Sequence, residues 1–495
     1  MLRLRDRGGF QVSAIYFCRV LVFGFMVSAV CLMDSREAVA SSLGMAKKLD
    51  KILQKSRVRR DEIGAVVLLA KGGGTQTLWS VQAEQMLIPA SVTKILTAGA
   101  VLEGLGPSRK LETKLWAVAD INSGDLNGDL ILQGGGDPGF VSETMWFLVN
   151  EFTRTGIRKI KGNLIVDDSR FDRVRADSSR QEERVDRAFD APVGAMSFNW
   201  NSVNIFVRPA DRVGASAQVV LDPENDVVQL QGEVKTVAAN GKTEISVERT
   251  DGPAGLDVIR VHGKIPVGAK EFVAYKNITS PEAWSGNALL NFLKQRGITV
   301  TGTVKSGPLP VGARQLARAE SKTVADMVKD MMKFSNNFVA EMLVKNLAAE
   351  KKSTPASLAS GMELVRQYVL DQGISKDRFT LVNPSGFTRE NRITADDLSK
   401  ILLHMRDHFE IFPEALVAFP IAGIDGTLKS RMRSTVAEGR VRAKTGLLNG
   451  VAALAGFAGR ADGSQLTFVF IFNGRANLGE EARTLFDQLA VQLVQ

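Results

Sequence analysis

Three spacings of apolar residues divide this chain. From Lys94 the stretch "KILTAGAVLEGL" places Ile95, Leu96, Ala100, Leu102 and Leu105 at helical intervals, with Gly104 and Gly106 at its end, and predicts a helix burying one face. From about 113 to 275 the pattern shortens to the runs "LILQ", "GNLIVDD", "VNIFVRP", "AQVVLD", "VVQLQGEV", "TEISVER" and "DVIRVHGKI", separated by Gly, Asp and Pro turns. That region is predicted to be β-rich. Two helical patterns meet at Ser335 in "VADMVKDMMKFSNNFVAEMLVKN". Strand patterns then surround Lys444 and recur in "VAALAGFA" and "LTFVFIF", the last two joined by the turn "ADG". A final amphipathic helix, with Leu485, Leu489 and Leu493 spaced by four, is expected to cover that sheet. No basic stripe or apolar tail follows it, so membrane contact is expected to be peripheral at most.

The first forty residues read differently. Arg3, Arg5 and Arg7 precede the apolar run Val20–Met33, and "AVA" stands at 38–40, the layout of an export leader cleaved near Ala40. The apolar run is short for a membrane span. Cys18 and Cys31, the two cysteines of the sequence, fall inside this leader, so the mature chain is expected to hold no disulfide and no cysteine metal site. Val30 before Cys31 is bulkier than lipoprotein processing prefers. At 495 residues, 44% hydrophobic and 24% charged, the chain is globular and long enough for two to three domains. The net charge of +9 includes five Arg against three acids in the leader, which leaves +7 without any long basic run. Nucleic-acid binding is therefore not indicated; an anionic partner such as a cell-wall polymer suits the charge, and solubility alone explains it equally well.

Several stretches imitate ligand-binding motifs. "GGGDPG" at 134–139 fits GxGxxG after a strand, but Pro138 sits inside the turn and the first acids after the second strand, Asp167 and Asp168, come too late for a dinucleotide site. "GIDGTLKS" has Leu428 where a phosphate loop needs glycine. His404 and His408, four apart on one predicted helix, lack an HExxH pattern and an evident acid ligand, and are read as solvated helix residues. With three histidines and no Gx-Ser-xG elbow, a Ser-His-Asp hydrolase is improbable.

Serine chemistry without histidine needs another base, and lysine serves when its surroundings leave it neutral part of the time. In "PASVTK" Ser91 and Lys94 are three apart at a helix start, which brings both side chains to one face beside free N–H groups. The competing reading makes Ser91 an ordinary helix cap. SxxK combined with Ser-x-Asn and Lys-Thr-Gly is the signature of active-site-serine penicillin-recognising enzymes. "KTG" occurs once, at Lys444, Thr445 and Gly446; of four Ser-x-Asn triplets, at Ser197, Ser202, Ser285 and Ser335, only Ser335–Asn337 lies where two helices meet.

With these motifs, "GGGDP" at 134–138, "APVGAMSFNWNSVNIFVRP" at 191–209, "SGFTRENRIT" at 385–394 and "GIDGTLKSRM" at 423–432, the chain from about residue 55 resembles the D-alanyl-D-alanine carboxypeptidases/endopeptidases among the class C low-molecular-mass penicillin-binding proteins. The resemblance implies an α/β (α+β) penicillin-binding/serine β-lactamase-like domain, an antiparallel sheet flanked by helices, formed by 41–112 plus 276–495. The 244 residues from Ser91 to Ser335 are too many for one compact domain of that kind, so 113–275 is expected to be inserted; the resemblance implies two domains there, one nested in the other. The resemblance further implies a periplasmic enzyme acting on peptidoglycan peptides and acylated by β-lactams, with no cofactor and no metal. It assigns catalysis to Ser91, Lys94, Ser335, Asn337 and Lys444, and substrate contact to Thr445, Gly446 and Leu447. Ser385 and Arg389 lie in a family segment to which no role is given. Two departures stand out: Leu447 replaces the family's usual threonine, and "NPSG" at 383–386 replaces Asp-Gly-Ser-Gly. The alternative is a wall-binding scaffold of the same fold, although a scaffold has no need for a lysine beside its serine.

Overall fold

The computed structural model describes residues 44–71, 74–179, 186 and 188–495. The expected leader, with Cys18 and Cys31, lies outside the described residues. In chain order the described elements are strands β1 to β22 and helices α1 (44–55) to α10.

The central sheet joins the two ends of the described chain. Strands β1 (Ile63–Lys71), β2 (Gly74–Val81), β20 (Val441–Leu448), β21 (Val451–Gly459) and β22 (Gln465–Asn473) lie in the order β2-β1-β22-β21-β20, every neighbour antiparallel. Alternation along each strand sends successive residues to opposite faces. Ala65 and Val67 of β1, with Phe468, Phe470 and Phe472 of β22, face one core. Val66 and Leu68, with Val469 and Ile471, face another. Helix α10 (Gly479–Leu493) closes the first side through Leu485, Leu489 and Leu493, as its spacing predicts. Helices α2 (Lys94–Leu105), α5 (Val324–Lys333), α6 (Asn337–Lys351) and α8 (Ala395–Asp407) cover the second. α2 ends at Leu105, capped by left-handed Gly106 (φ 83°); Gly104 lies inside the helix, where a Cβ would meet Leu347 at 2.4 Å. The expected antiparallel sheet flanked by helices is therefore present.

A further core, built from residues 115 to 319, stands apart from these two. Its largest sheet has the order β16-β8-β6-β3-β17, with β3 (Lys110–Ala117), β6 (Leu130–Gln133), β8 (Leu164–Asp167), β16 (Val304–Ser306) and β17 (Arg314–Thr323). Two three-stranded sheets formed between Ser202 and Asn277 are nested in sequence between β8 and β16. All seven apolar runs of this region are strands. The packing runs past residue 275: Trp284, Leu289 and Leu293 of α4 (Pro281–Gln295), and Ala317 and Ala319 of β17, belong to this core. α4 returns its apolar face to these strands, so the stretch to about 320 shares their core.

The GxGxxG look-alike sits in a genuine βαβ unit, since β6 and β8 pair in parallel on either side of α3 (Ser142–Thr153). Its glycines are used by the fold. A Cβ at Gly135 would lie 2.0 Å from Glu112 O, and one at Gly134 2.4 Å from Met196 N.

Candidate active site

Ser91 lies in a 3-10 turn, Ala90–Thr93, that runs directly into α2. It caps nothing: the residue preceding the turn is Pro89, the residue preceding α2 is Thr93, and neither end has a side-chain cap. The hydroxyl instead stands 3.2 Å from Lys94 Nζ. Lys94 is fully buried, and its Nζ donates to Asn337 Oδ1 at 2.8 Å and to Ser385 O at 2.6 Å. The helix start thus delivers Ser91 to an open position and its lysine to a closed one.

The second motif forms the sharp link between α5 and α6. Ser335 adopts a left-handed backbone (φ 55°), unusual for a residue with a Cβ, and its turn aims the hydroxyl at Lys444 Nζ, 2.9 Å away. Capping α6 falls to Asn336, whose side chain accepts from Val339 N–H. Asn337 is left as the first helical residue, buried and turned toward Lys94. The reading of Ser91 as a helix cap therefore fails, and at α6 the cap is Asn336 rather than Ser335 or Asn337.

The KTG strand is β20, the last strand of the central sheet, whose outer edge is bridged by Ile421 at Arg442. Lys444 and Gly446 pair with Ala455 and Ala453, which face the helical core, so they point to the side of Ser335. Lys444 is fully buried and also reaches Thr445 O at 2.9 Å; burial pushes its pKa down to about 7. Gly446 lets the strand approach the nucleophile turn, since a Cβ there would lie 2.8 Å from Pro89 O. Ala443 N–H donates away from β21, to Pro420 O. By the two-residue period of a strand, the N–H groups of Thr445 and Leu447 also point outward from the edge. The Leu447 side chain is 53% exposed.

Two loops whose function the motifs leave open hold these parts. In the 383–386 loop, Asn383 Oδ1 accepts from Ser385 N, Ser385 Oγ and Gly386 N, which fixes the Ser385 carbonyl on Lys94. Gly386 is left-handed (φ 75°), and a Cβ there would strike Ala90 O. The amide of Asn383 also donates to Asp177. An aspartate at 383 would keep the three acceptor bonds and set two carboxylates against each other, which accounts for asparagine in this chain. In the 423–427 loop, Asp425 grips Lys333 Nζ with both oxygens, at 2.8 and 2.7 Å, and Thr427 Oγ1 is 2.9 Å from Thr445 Oγ1. That loop therefore braces the Ser335 turn and the KTG strand together. Arg389 reaches Asn449 O at the β20–β21 turn.

Beside the Ser335 turn a cleft of about 620 Å³ is lined by Glu143, Trp200, Asn204, Asp222, Tyr275 and Asn337 among others. Every site residue expected from the motifs thus lies around one location. The positioning groups that sequence reasoning missed are a backbone carbonyl (Ser385), a loop amide (Asn383) and a lysine–aspartate pair (Lys333–Asp425).

Comparison with known proteins agrees with this geometry. The family model described as the D-Ala-D-Ala carboxypeptidase 3 (S13) family matches residues 45–495. A D-alanyl-D-alanine carboxypeptidase of Actinomadura sp. is 30% identical, with 100% of this chain and 92% of that protein covered. The D-alanyl-D-alanine carboxypeptidase DacB of Haemophilus influenzae is 28% identical over 80% of this chain and 83% of its own. The crystal structure of penicillin binding protein 4 from Haemophilus influenzae superposes with a TM-score of 0.74 at 26% identity, covering 89% of this chain and 99% of that one. The family expected from the motifs is the family found: the chain belongs to the D-Ala-D-Ala carboxypeptidase 3 (S13) family of serine hydrolases.

Proposed function

We propose that this chain is an exported serine D-Ala-D-Ala carboxypeptidase and/or D,D-endopeptidase that cleaves peptidoglycan stem peptides through an acyl-enzyme on Ser91. The observation that carries the reading is the setting of Lys94. A neutral lysine amine has two N–H bonds and one lone pair. Asn337 Oδ1 and Ser385 O take the two N–H groups, and the Ser91 hydroxyl stands where the lone pair can accept its proton. Ser91 Oγ then attacks the carbonyl carbon between two D-alanines. The N–H groups of Ser91 and Leu447 receive the oxyanion, the latter from the outer edge of β20.

The tetrahedral adduct collapses with cleavage of the C–N bond. Ser335 relays the proton to the departing amine, and Lys444 with Thr445 holds the departing residue's carboxylate. Water attacks the resulting ester, gives a proton back through the same groups, and releases the shortened peptide and free Ser91. Asn337 also orients the acyl-side amide in the cleft, whose far wall the inserted region supplies. β-Lactams present a strained amide with a carboxylate nearby and acylate Ser91 by the same route.

Labelling with a fluorescent penicillin followed by peptide mass mapping tests this. The expected result is a stable adduct on the peptide containing Ser91, absent in Ser91→Ala, with D-alanine released from a stem peptide by the unmodified protein. Folded protein that takes no label and releases no D-alanine would point instead to a wall-binding scaffold.

A further inference from the structure

We propose that Glu103, His404 and His408 form a binding site for one divalent transition-metal ion of the zinc class, and that the ion clamps α2 to α8. The two histidines stand four apart at the C-terminal end of α8, with His408 as its cap residue. The acid that the sequence around them lacks comes from the last turns of α2, 301 positions earlier. Glu103, His404 and His408 bring one carboxylate oxygen and two imidazole nitrogens within 4.8 Å of one another, the sole such group of three among the described residues.

The separations suit a small tetrahedral ion. With ligand bonds of about 2.0–2.2 Å, neighbouring ligand atoms on zinc lie roughly 3.3 Å apart. His408 Nδ1 is 3.4 Å from His404 Nε2 and 3.5 Å from Glu103 Oε1. The third edge, His404 Nε2 to Glu103 Oε1, is 2.6 Å. It is a hydrogen bond that the ion replaces, and opening it requires the carboxylate, on a flexible side chain, to withdraw by less than about 1 Å. Two imidazoles with one carboxylate favour zinc, nickel or copper over magnesium or calcium, and leave a fourth position for water.

The surroundings hold His404 for this task. The Tyr368 ring packs on it edge-first, with centroids 6.0 Å apart. The Tyr368 hydroxyl is buried without a hydrogen-bond partner and lies against α2 at Gly99, one turn before Glu103; a Cβ at residue 99 would come within 2.2 Å of it. The two histidine rings stand nearly perpendicular, at 88°. Glu103 is nine residues along α2 from Lys94, roughly 14 Å, so the ion takes no part in the reaction. It ties the helix that begins with Lys94 to the helix that follows the 383–394 segment.

Isothermal titration of the metal-stripped, tag-free protein with ZnCl2 tests the proposal, with MgCl2 as control. The expected result is saturable binding of one Zn2+ per chain and a rise in Tm that Mg2+ does not produce. Glu103→Gln should weaken binding at least about tenfold and the double variant His404→Gln/His408→Gln should abolish it. Penicillin labelling of the variants verifies their fold. On the unmodified protein, Co2+ should perturb two of the three histidine imidazole resonances and spare His262. No saturable binding, binding that survives in the double variant, or an equal response to Mg2+ would overturn the assignment.

Discussion

Two buried lysines flank the Ser335 turn, and they are satisfied in opposite ways. Lys333 has its counter-charge within the chain: Asp425 holds it with both oxygens and Phe419 O accepts a further bond at 2.6 Å. Burial lowers its pKa, and Asp425 pulls against that shift. Lys444 meets a hydroxyl and a carbonyl, and burial alone pushes its pKa down to about 7. A lysine paired internally serves the fold. A lysine desolvated without a carboxylate partner is a receptor in waiting, because an arriving carboxylate meets a charge that no internal partner has neutralised.

The strongest way to break this contrast is Lys444→Met. Loss of a buried charge pair with the ligand corresponds to about 2–5 kcal/mol, so kcat/KM for a peptide ending in D-Ala-D-Ala with a free carboxylate should fall by roughly 30-fold to 5,000-fold. The same peptide with an amidated C-terminus should show a much smaller drop, and Tm should hold. Equal losses on both peptides would show that Lys444 shapes the site without receiving the carboxylate.

A pH profile tests the same lysine without mutation. Carboxylate binding needs protonated Lys444, so kcat/KM should fall about tenfold per pH unit on the alkaline side of a pKa near 7, and Lys444→Arg should displace that limb upward. Its contribution to stability has the opposite direction. The unfolded chain, with an ordinary lysine pKa, binds more protons than the folded one between about pH 7 and 10.4, so this group makes stability rise with pH across that window. A profile flat above pH 7 would remove Lys444 as the free-enzyme titrating group.

Much of this arrangement is legible in the sequence, and the boundary of legibility is physical. Residues three apart on a helix, or within one strand, declare their geometry through periodicity; hence α2, β20 and α10 were foreseeable, and SxxK, SxN and KTG pointed to residues that the fold brings together. Ser385 acts through its carbonyl, an atom every residue has, on a lysine 291 positions away. Asp425 and Glu103 find partners only when distant segments pack. Likewise, the turn pattern behind the expected boundary at 275 says nothing of α4, whose Trp284 and Leu293 share a core with strands between residues 115 and 265.

Asp425→Asn addresses the structural member of the pair. Lys333 would keep its burial and lose its counter-charge, but Asp425 is partly open to water, so the loss should be about 1–3 kcal/mol, read as a lower Tm. Penicillin acylation should slow modestly, because the loop carrying Asp425 also carries Thr427 against Thr445. An unchanged Tm would show that Lys333 needs no internal partner and would dissolve the distinction from Lys444.

The smallest effect belongs to Leu447, two positions beyond Thr445 on the same edge. Its N–H is a backbone group and survives any substitution except proline, so Leu447→Thr tests the side chain alone. At 53% exposure an added hydroxyl competes with water for the ligand carboxylate, and a net gain of about 0.5–1.5 kcal/mol corresponds to a two- to tenfold faster acylation by penicillins. The gain should vanish in the Lys444→Met background, because the hydroxyl can only assist a carboxylate that Lys444 already holds. A gain that persists there would make the edge of β20 an anion receptor in its own right, with Lys444 as one contributor among several.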